Sequence, residues 1–368
     1  MQKDFFISVL TLGLILCFIA CGEKKIAVKS ALERVEAFAF DVNDDYLQSY
    51  AGSFCYSTSA RIDGKLHSVD ILNLTDCQPL RQVTLAKEGP DQILTPKGIG
   101  YYKDSFIIFT TNGLYRVGQD GKVLSKKLLN DLPQVKEDGY GIAVPGLSIY
   151  FSVYSFFGFD ASKGVVALPL YSYEKDATGE YAKKVLVISC DDWSIRNEVE
   201  IDCPDIIKKE GDMQLLSCIN VLPHGDWLIY NFPASSKVYV YDLSAKKSKE
   251  YDFPSTFTDS FFRLPDMNEE EPGFGCLKTG YYFPLCYDAY HDVFWRVQQG
   301  PLDGHGVAGK PFSVMCISTD LMNSAEYVIP AGSKIYPDLA FMDSLVLLPY
   351  TGGDKIGENN MCFYGLKY

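Results

Sequence analysis

The 368 residues carry 47 acidic and 34 basic side chains, a formal net charge of -13 at pH 7, with 47% hydrophobic and 14% aromatic content. That much apolar surface excludes a disordered chain. The acidic surplus, with no basic block longer than a Lys-Lys pair, excludes nucleic acid as a partner.

The chain opens with Met1-Gln2-Lys3-Asp4 and an apolar run from Phe5 to Ala20. This is the length of a signal-peptide core and shorter than the roughly 20 apolar residues of a membrane span. It ends in Phe18-Ile19-Ala20-Cys21-Gly22, which resembles a bacterial lipobox, with Phe18 where Leu is usual. The reading is a signal peptide over 1–20, lipid attachment at Cys21, a tether over 21–30 and one domain over 31–368. Acyl chains contribute about 0.8 kcal/mol per buried CH₂, so two or three anchor stably. Gly22 is not Asp, so nothing argues for retention at the inner membrane. The expected location is the cell envelope, with outer-membrane anchoring and either face open.

From residue 35 onward, short β-branched and aromatic runs alternate with Gly, Asp, Asn and Pro, which predicts an all-β domain. Only Leu128–Lys136 and Asp205–Leu215 suggest helix, the first holding Pro133 and the second Gly211. Strand pairs recur along the chain: 67–74 with 80–85, 113–117 with 122–129, 184–189 with 195–201, 237–242 with 248–253, and 312–318 with 324–329. A sixth first strand, Asn360–Leu366, reaches the C-terminus without its partner. Leu32–Phe40 has the alternation that partner needs. Ser53–Thr58, Phe106–Thr110, Val165–Leu170, Trp227–Tyr230, Val293–Val297 and Leu345–Leu348 are candidates for inner strands. The spacing predicts a β-propeller of six blades, its ring closed by N-terminal and C-terminal strands pairing. Leu147–Val153 would supply a seventh blade, and a sandwich or irregular all-β fold is the alternative.

After cleavage nine cysteines remain: Cys55, Cys77, Cys190, Cys203, Cys218, Cys276, Cys286, Cys316 and Cys362. None forms CxxC, which argues against a zinc ribbon or thioredoxin-like motif. Buried thiols are expected, with a Cys190–Cys203 bridge as the alternative in an oxidising compartment. The histidines His67, His224, His291 and His305 form no local metal motif, and His224 reads as a turn residue. Gly98-Ile99-Gly100 lacks the third glycine of a phosphate-binding loop. No metal site, cofactor or catalytic residue is assigned.

The densest constellation is Asp288, Tyr290, His291, Trp295 and Arg296. Aromatic rings beside a carboxylate and a guanidinium suit a sugar or peptide ligand. The competing reading is a polar turn followed by a strand with Val293, Trp295 and Val297 on one face and Phe294 and Arg296 on the other. Phe261–Gly275 reads as a flap or solvated loop. Gly352–Asn360 is rich in oxygen ligands for Ca²⁺ but lacks EF-hand spacing, so it reads as a hairpin loop.

The lipobox at Cys21, the stretches Val83–Pro90 and Tyr287–Val297, and the closing Asn359-Asn360-Met361-Cys362-Phe363-Tyr364 together resemble a family of lipoproteins of unknown function from Bacteroides-type bacteria. The resemblance implies a six-bladed β-propeller over nearly the whole mature chain and implies no activity. The expected function is binding or scaffolding at the membrane, with a glycan, peptide or envelope protein as partner. The alternative is a propeller-type hydrolase or lyase acting at the channel mouth.

Overall fold

Antiparallel pairing dominates the computed structural model, which describes residues 27–29, 39–41, 53–57, 60–64, 67–73, 78–94, 96–142, 157–175, 181–210, 218–255, 280–300, 312–329, 334–335, 339–342, 345–351 and 360–367. Within these residues the strands form six sheets in chain order. The first holds Ser53–Ser57, Ala60–Gly64, Ser68–Asn73 and Gln78–Thr84; the second holds Pro96–Tyr102, Ser105–Thr110, Gly113–Gly118 and Val123–Leu128. The third pairs Tyr140–Gly141 and Gly158–Asp160 with Val165–Lys175, followed by Tyr181–Ser189 and Ile195–Ile201. The fourth runs Asn220–His224, Trp227–Asn231, Lys237–Asp242 and Lys247–Asp252. The fifth runs Tyr281–Asp288, Val293–Gln299, Phe312–Ser318 and Ser324–Ile329. In the sixth, Ala340–Met342 and Lys334–Ile335 flank Leu345–Thr351, which pairs with Asn360–Lys367.

The arrangement is that of a β-propeller. First strands of neighbouring sheets pack together: Ser53–Ser57 on Pro96–Tyr102, and Asn220–His224 on both Gly158–Asp160 and Tyr281–Asp288. Ala340–Met342 packs on Ser53–Ser57. Ala39–Asp41 runs antiparallel to the last strand, with Ala39 opposite Cys362 and Asp41 opposite Asn360.

The hydrophobic pattern follows from blades that stack face to face. A middle strand is covered on both faces and reads as a continuous apolar run. Phe106-Ile107-Ile108-Phe109 is wholly buried. Alternation divides it: Phe106 and Ile108 join the core with the first sheet, and Ile107 and Phe109 join the core with the third. In the fourth sheet Leu228 and Tyr230 face one core while Ile229 faces another. Outermost strands have water on one side, so Val123–Leu128 alternates and Lys247–Asp252 is almost entirely exposed. Charge on such an edge discourages pairing with other chains.

The expected strand pairs are the third and fourth strands of their sheets. The inner-strand candidates lie in the inner half of their sheets: Ser53–Ser57 is a first strand and the others are second strands. The other first strands, which the sequence did not single out, carry Pro, Gly and polar residues and lack the continuous apolar signature. Pro96–Tyr102 shows why. A Cβ at Gly98 would lie 2.4 Å from Phe157 Cδ1, and one at Gly100 would lie 2.5 Å from Phe159 Cδ1. Glycine there lets the rings of the next inner strand close on the backbone, a role unconnected with phosphate.

Among the described residues helix is confined to short pieces, including Pro133–Lys136 and Asp205–Glu210. Ala27–Lys29, inside the expected tether, pairs in parallel with Ser324–Ile329 as a fifth strand. The Cys190–Cys203 bridge is excluded. Neither is bridged in the structure, and the seven-residue strand Ile195–Ile201 separates them. Such a strand spans about 20 Å, whereas a bridge needs Cα atoms about 4.4–6.8 Å apart. Cys21, His305, the 261–275 loop, residues 147–153 and most of 352–360 lie outside the described residues.

Candidate functional site

Strand direction puts the first-to-second and third-to-fourth turns on one face of the propeller. Among the described residues most are closed by an aspartate accepting backbone N–H groups two or three residues on, the Asx geometry. Asp242 accepts from Ser244 and Ala245 at 2.9 and 2.7 Å, Asp320 from Met322 at 2.9 Å, and Asp192 from Ser194 at 3.1 Å. The Ser194 hydroxyl, followed by its backbone N–H, pulls the Asp192 carboxyl down to about 2.

At the junction of the third, fourth and fifth sheets these turns come together. Asp160 Oδ1 accepts from Ser162 N at 2.8 Å and Lys163 N at 3.2 Å, and Oδ2 accepts from Gly225 N at 2.9 Å in the next sheet. Gly225, at φ +59°, turns the backbone toward that oxygen. Exposed Lys163 and Asp226 pair across the same seam at 3.1 Å. The His224 ring lies 4.2 Å from the Tyr287 ring and 5.2 Å from Phe294. Burial holds its pKa below the usual imidazole value, against the pull of Asp160 and Asp292. Tyr287 donates to Asp292 Oδ1 at 3.0 Å, and Thr319 donates to Oδ2 at 3.3 Å. Burial, then the hydrogen bond to Asp292, pushes the Tyr287 phenol up to about 12.

The five sequence-selected residues divide here. Asp288 is fully buried and repeats the work of Asp160: Oδ1 accepts from Tyr290 N at 3.0 Å and His291 N at 3.4 Å. Its Oδ2 lies 2.8 Å from His291 Nδ1. Tyr290 is 39% exposed and His291 half-buried, so both reach solvent beside each other. Trp295 and Arg296 do not join them. Trp295 is fully buried, its ring 6.0 Å from Tyr327.

Arg296 is also fully buried and ties two sheets together. It donates to Ser236 O at 3.0 Å and Phe253 O at 2.5 Å, and its guanidinium carbon sits 4.2 Å from the Tyr282 ring centre. Burial pushes its pKa down to about 10. Beside it is a buried polar cluster. Glu326 accepts from Gln298 at 3.0 Å, from Ser313 at 2.6 Å and from Ser255, whose N–H donates to the Tyr282 hydroxyl at 3.0 Å. For Trp295 and Arg296 the binding assignment is corrected to blade packing, since neither meets solvent. Turn followed by strand describes the segment.

Sequence reasoning had a signal for this. Phe159-Asp160-Ala161 and Tyr287-Asp288-Ala289 are the same turn in two sheets. A constellation that recurs as scaffold is weak evidence for a ligand. Sequence reasoning missed a second group, Tyr171, Lys183, Cys203 and Cys218, at the other end of the third sheet. Lys183, opposite both Tyr171 and Ile201 in register, sets its Nζ 3.0 Å from Cys203 Sγ. Among the described residues no three His, Cys, Asp or Glu side chains are grouped to hold a metal. No helix among them is long and apolar enough to cross a membrane.

The chain is similar to several solved structures. A Bacteroides vulgatus member of the duf4221 family aligns at TM-score 0.66 and 15% identity, covering 92% of this chain and 98% of that one. A Bacteroides fragilis protein described as a candidate exported protein aligns at TM-score 0.51 and 10% identity, covering 94% and 100%. The WD40 domain of Neurospora crassa Pan2 aligns at TM-score 0.44 and 8% identity, covering 93% and 98%. No curated protein matches the sequence. The model of the family described as Domain of unknown function (DUF4221) matches residues 56–322, most of the chain, and the protein belongs to that family.

Proposed function

We propose that the protein is an exported, lipid-anchored β-propeller of six blades that binds a ligand or scaffolds an envelope partner. The observation that carries this reading is the commitment of its chemically suggestive side chains to the scaffold. Asp160, Asp288 and Asp292 spend their oxygens on turns and seams, and Arg296 spends its N–H groups on two backbone carbonyls. A carboxylate held by such bonds is a poor general base, whereas a rigid ring is a good platform for loops. By strand direction the described connections 85–94, 111–112 and 232–236 lie on the face opposite the Asx turns. That face is the proposed recognition surface for a glycan, peptide or protein. Tyr290 and His291 offer a smaller contact on the turn face.

Six sheets, the packing of Ala340–Met342 on Ser53–Ser57 and the pairing of Ala39 with Cys362 support a closed ring. Ala39→Cys should crosslink to Cys362 on mild oxidation, since directly opposed Cα atoms lie about 4.5–5.5 Å apart. Failure to crosslink in folded protein would remove the closure. The apolar run before Cys21 and the exported-type description of the Bacteroides fragilis neighbour support an extracytoplasmic location. Palmitate should label the wild-type chain and not Cys21→Ala. The full chain in detergent should bind an envelope glycan or peptide in titration without converting it; turnover would transfer the case to the hydrolase or lyase reading.

A further inference from the structure

We infer that Cys203 and Cys218 form a disulfide-exchanging pair, with Cys203 the attacking thiol and Lys183 its positioning cation. Three sheet positions bring the groups together. Tyr171 and Lys183 face each other on neighbouring strands, and Lys183 also faces Ile201, two residues before Cys203. The Tyr171 hydroxyl accepts the Ile219 N–H at 2.8 Å, which draws the adjacent Cys218 in. Cys218 contacts that hydroxyl, and Cys203 lies within its electrostatic reach. Both thiols pack at the margin of one core and are half-buried.

The chemistry distinguishes the two sulfurs. The attacking species is a thiolate, and a neighbouring cation stabilises it. The Lys183 ammonium, buried in the sheet, lies 3.0 Å from Cys203 Sγ. Cys203 therefore attacks the disulfide of an external oxidant, an oxidised glutathione or dithiol carrier. The oxidant's S–S bond breaks, one of its sulfurs leaves as a thiolate, and a mixed disulfide forms on Cys203. Cys218 loses its proton to water and attacks Cys203 Sγ, expelling the second thiolate. Two protein thiols have then lost two electrons and two protons, and the oxidant has become two thiols.

Among the described free cysteines, the other three form no such pair with one another. Cys190 sits alone in the core of the second and third sheets. Cys286 and Cys316 both face Trp295 from opposite sides, so two strand spacings, about 9.6 Å, separate them.

The test uses the full chain in detergent, treated with oxidised glutathione and digested with trypsin without reduction. Asn197–Lys208 and Glu210–Lys237 each contain one cysteine, so a bridge is read directly as their crosslinked mass. The expected result is that crosslink in the wild type and a glutathione adduct trapped on Cys203 in Cys218→Ser. Lys183→Met should slow glutathione transfer to Cys203 about tenfold at neutral pH, and Lys183→Arg should restore much of it. Separate adducts on both cysteines without a crosslink, or thiols left unmodified, would overturn the pair. An unchanged rate in Lys183→Met would overturn the role of the lysine. Because the crosslink is mapped in unmutated protein, a variant that fails to fold leaves the decision intact.

Discussion

Arg296 separates a binding residue from a scaffold residue, and Arg296→Met tests which it is. The substitution removes two charged hydrogen bonds to Ser236 O and Phe253 O. At roughly 1.5–3 kcal/mol each they represent about 3–6 kcal/mol. It also removes a desolvated cation–π contact with Tyr282, about 2 kcal/mol. Against this, the fold no longer holds a guanidinium out of water. The fall of its pKa from 12.5 to about 10 puts that cost near 3 kcal/mol at ~1.4 kcal/mol per unit. The net loss is about 2–5 kcal/mol. Unfolding entropy of about 2.1 cal/mol/K per residue, over roughly 340 residues, gives ~0.7 kcal/mol/K. The melting temperature should therefore drop about 3–7 °C, followed by circular dichroism and checked by urea titration. Arg296→Lys should fall between, because one ammonium lacks the guanidinium fork that reaches two carbonyls. A variant that melts with the wild type would refute the scaffold assignment.

Gly100→Ala should cost about 1–3 kcal/mol, since its Cβ would intrude on the Phe159 ring at 2.5 Å. Phe159→Leu in the same chain should recover part of that loss in a double-mutant cycle, and strictly additive melting shifts would disprove the contact. Asp160→Ala frees the Ser162, Lys163 and Gly225 N–H groups and should cost about 1–3 kcal/mol, with faster amide exchange at Gly225. Unaltered exchange there would remove the seam. His224 gives a pH signature. Its folded pKa lies below the unfolded value, so the unfolded state binds the proton first and stability falls as pH drops through the unfolded value near 6.5. His224→Phe, which preserves a ring beside Tyr287 and Phe294, should flatten the urea midpoint between about pH 5 and 7. A slope equal to that of the wild type would place the titration elsewhere.

The outer half of each blade was legible in the sequence because a third and a fourth strand share a short turn with an aspartate in it. Phe312–Ser318 with Ser324–Ile329 and Lys237–Asp242 with Lys247–Asp252 are local hairpins whose register the turn sets. The inner half was legible only in its second strand, for a physical reason. Propeller packing buries that strand on both faces, so Phe106–Phe109 carries the strongest apolar signal. The actual innermost strand, with Gly98 and Gly100, yields its volume to the rings of its neighbour and looks like a loop.

The same packing explains why the candidate site was only half legible. Residue types that suggest recognition also suit the spaces between tilted sheets, where long polar side chains must satisfy backbone groups that no strand reaches. Arg296 meets two such carbonyls, and Asp160 meets a neighbouring sheet's N–H. Local density of Asp, His, Trp and Arg therefore reports the seam and not the ligand. Recurrence is the better guide. The Asp-Ala turn occurs in two sheets and belongs to the scaffold, whereas the contact of Lys183 with Cys203 joins a cation to a thiol at one place in the third sheet.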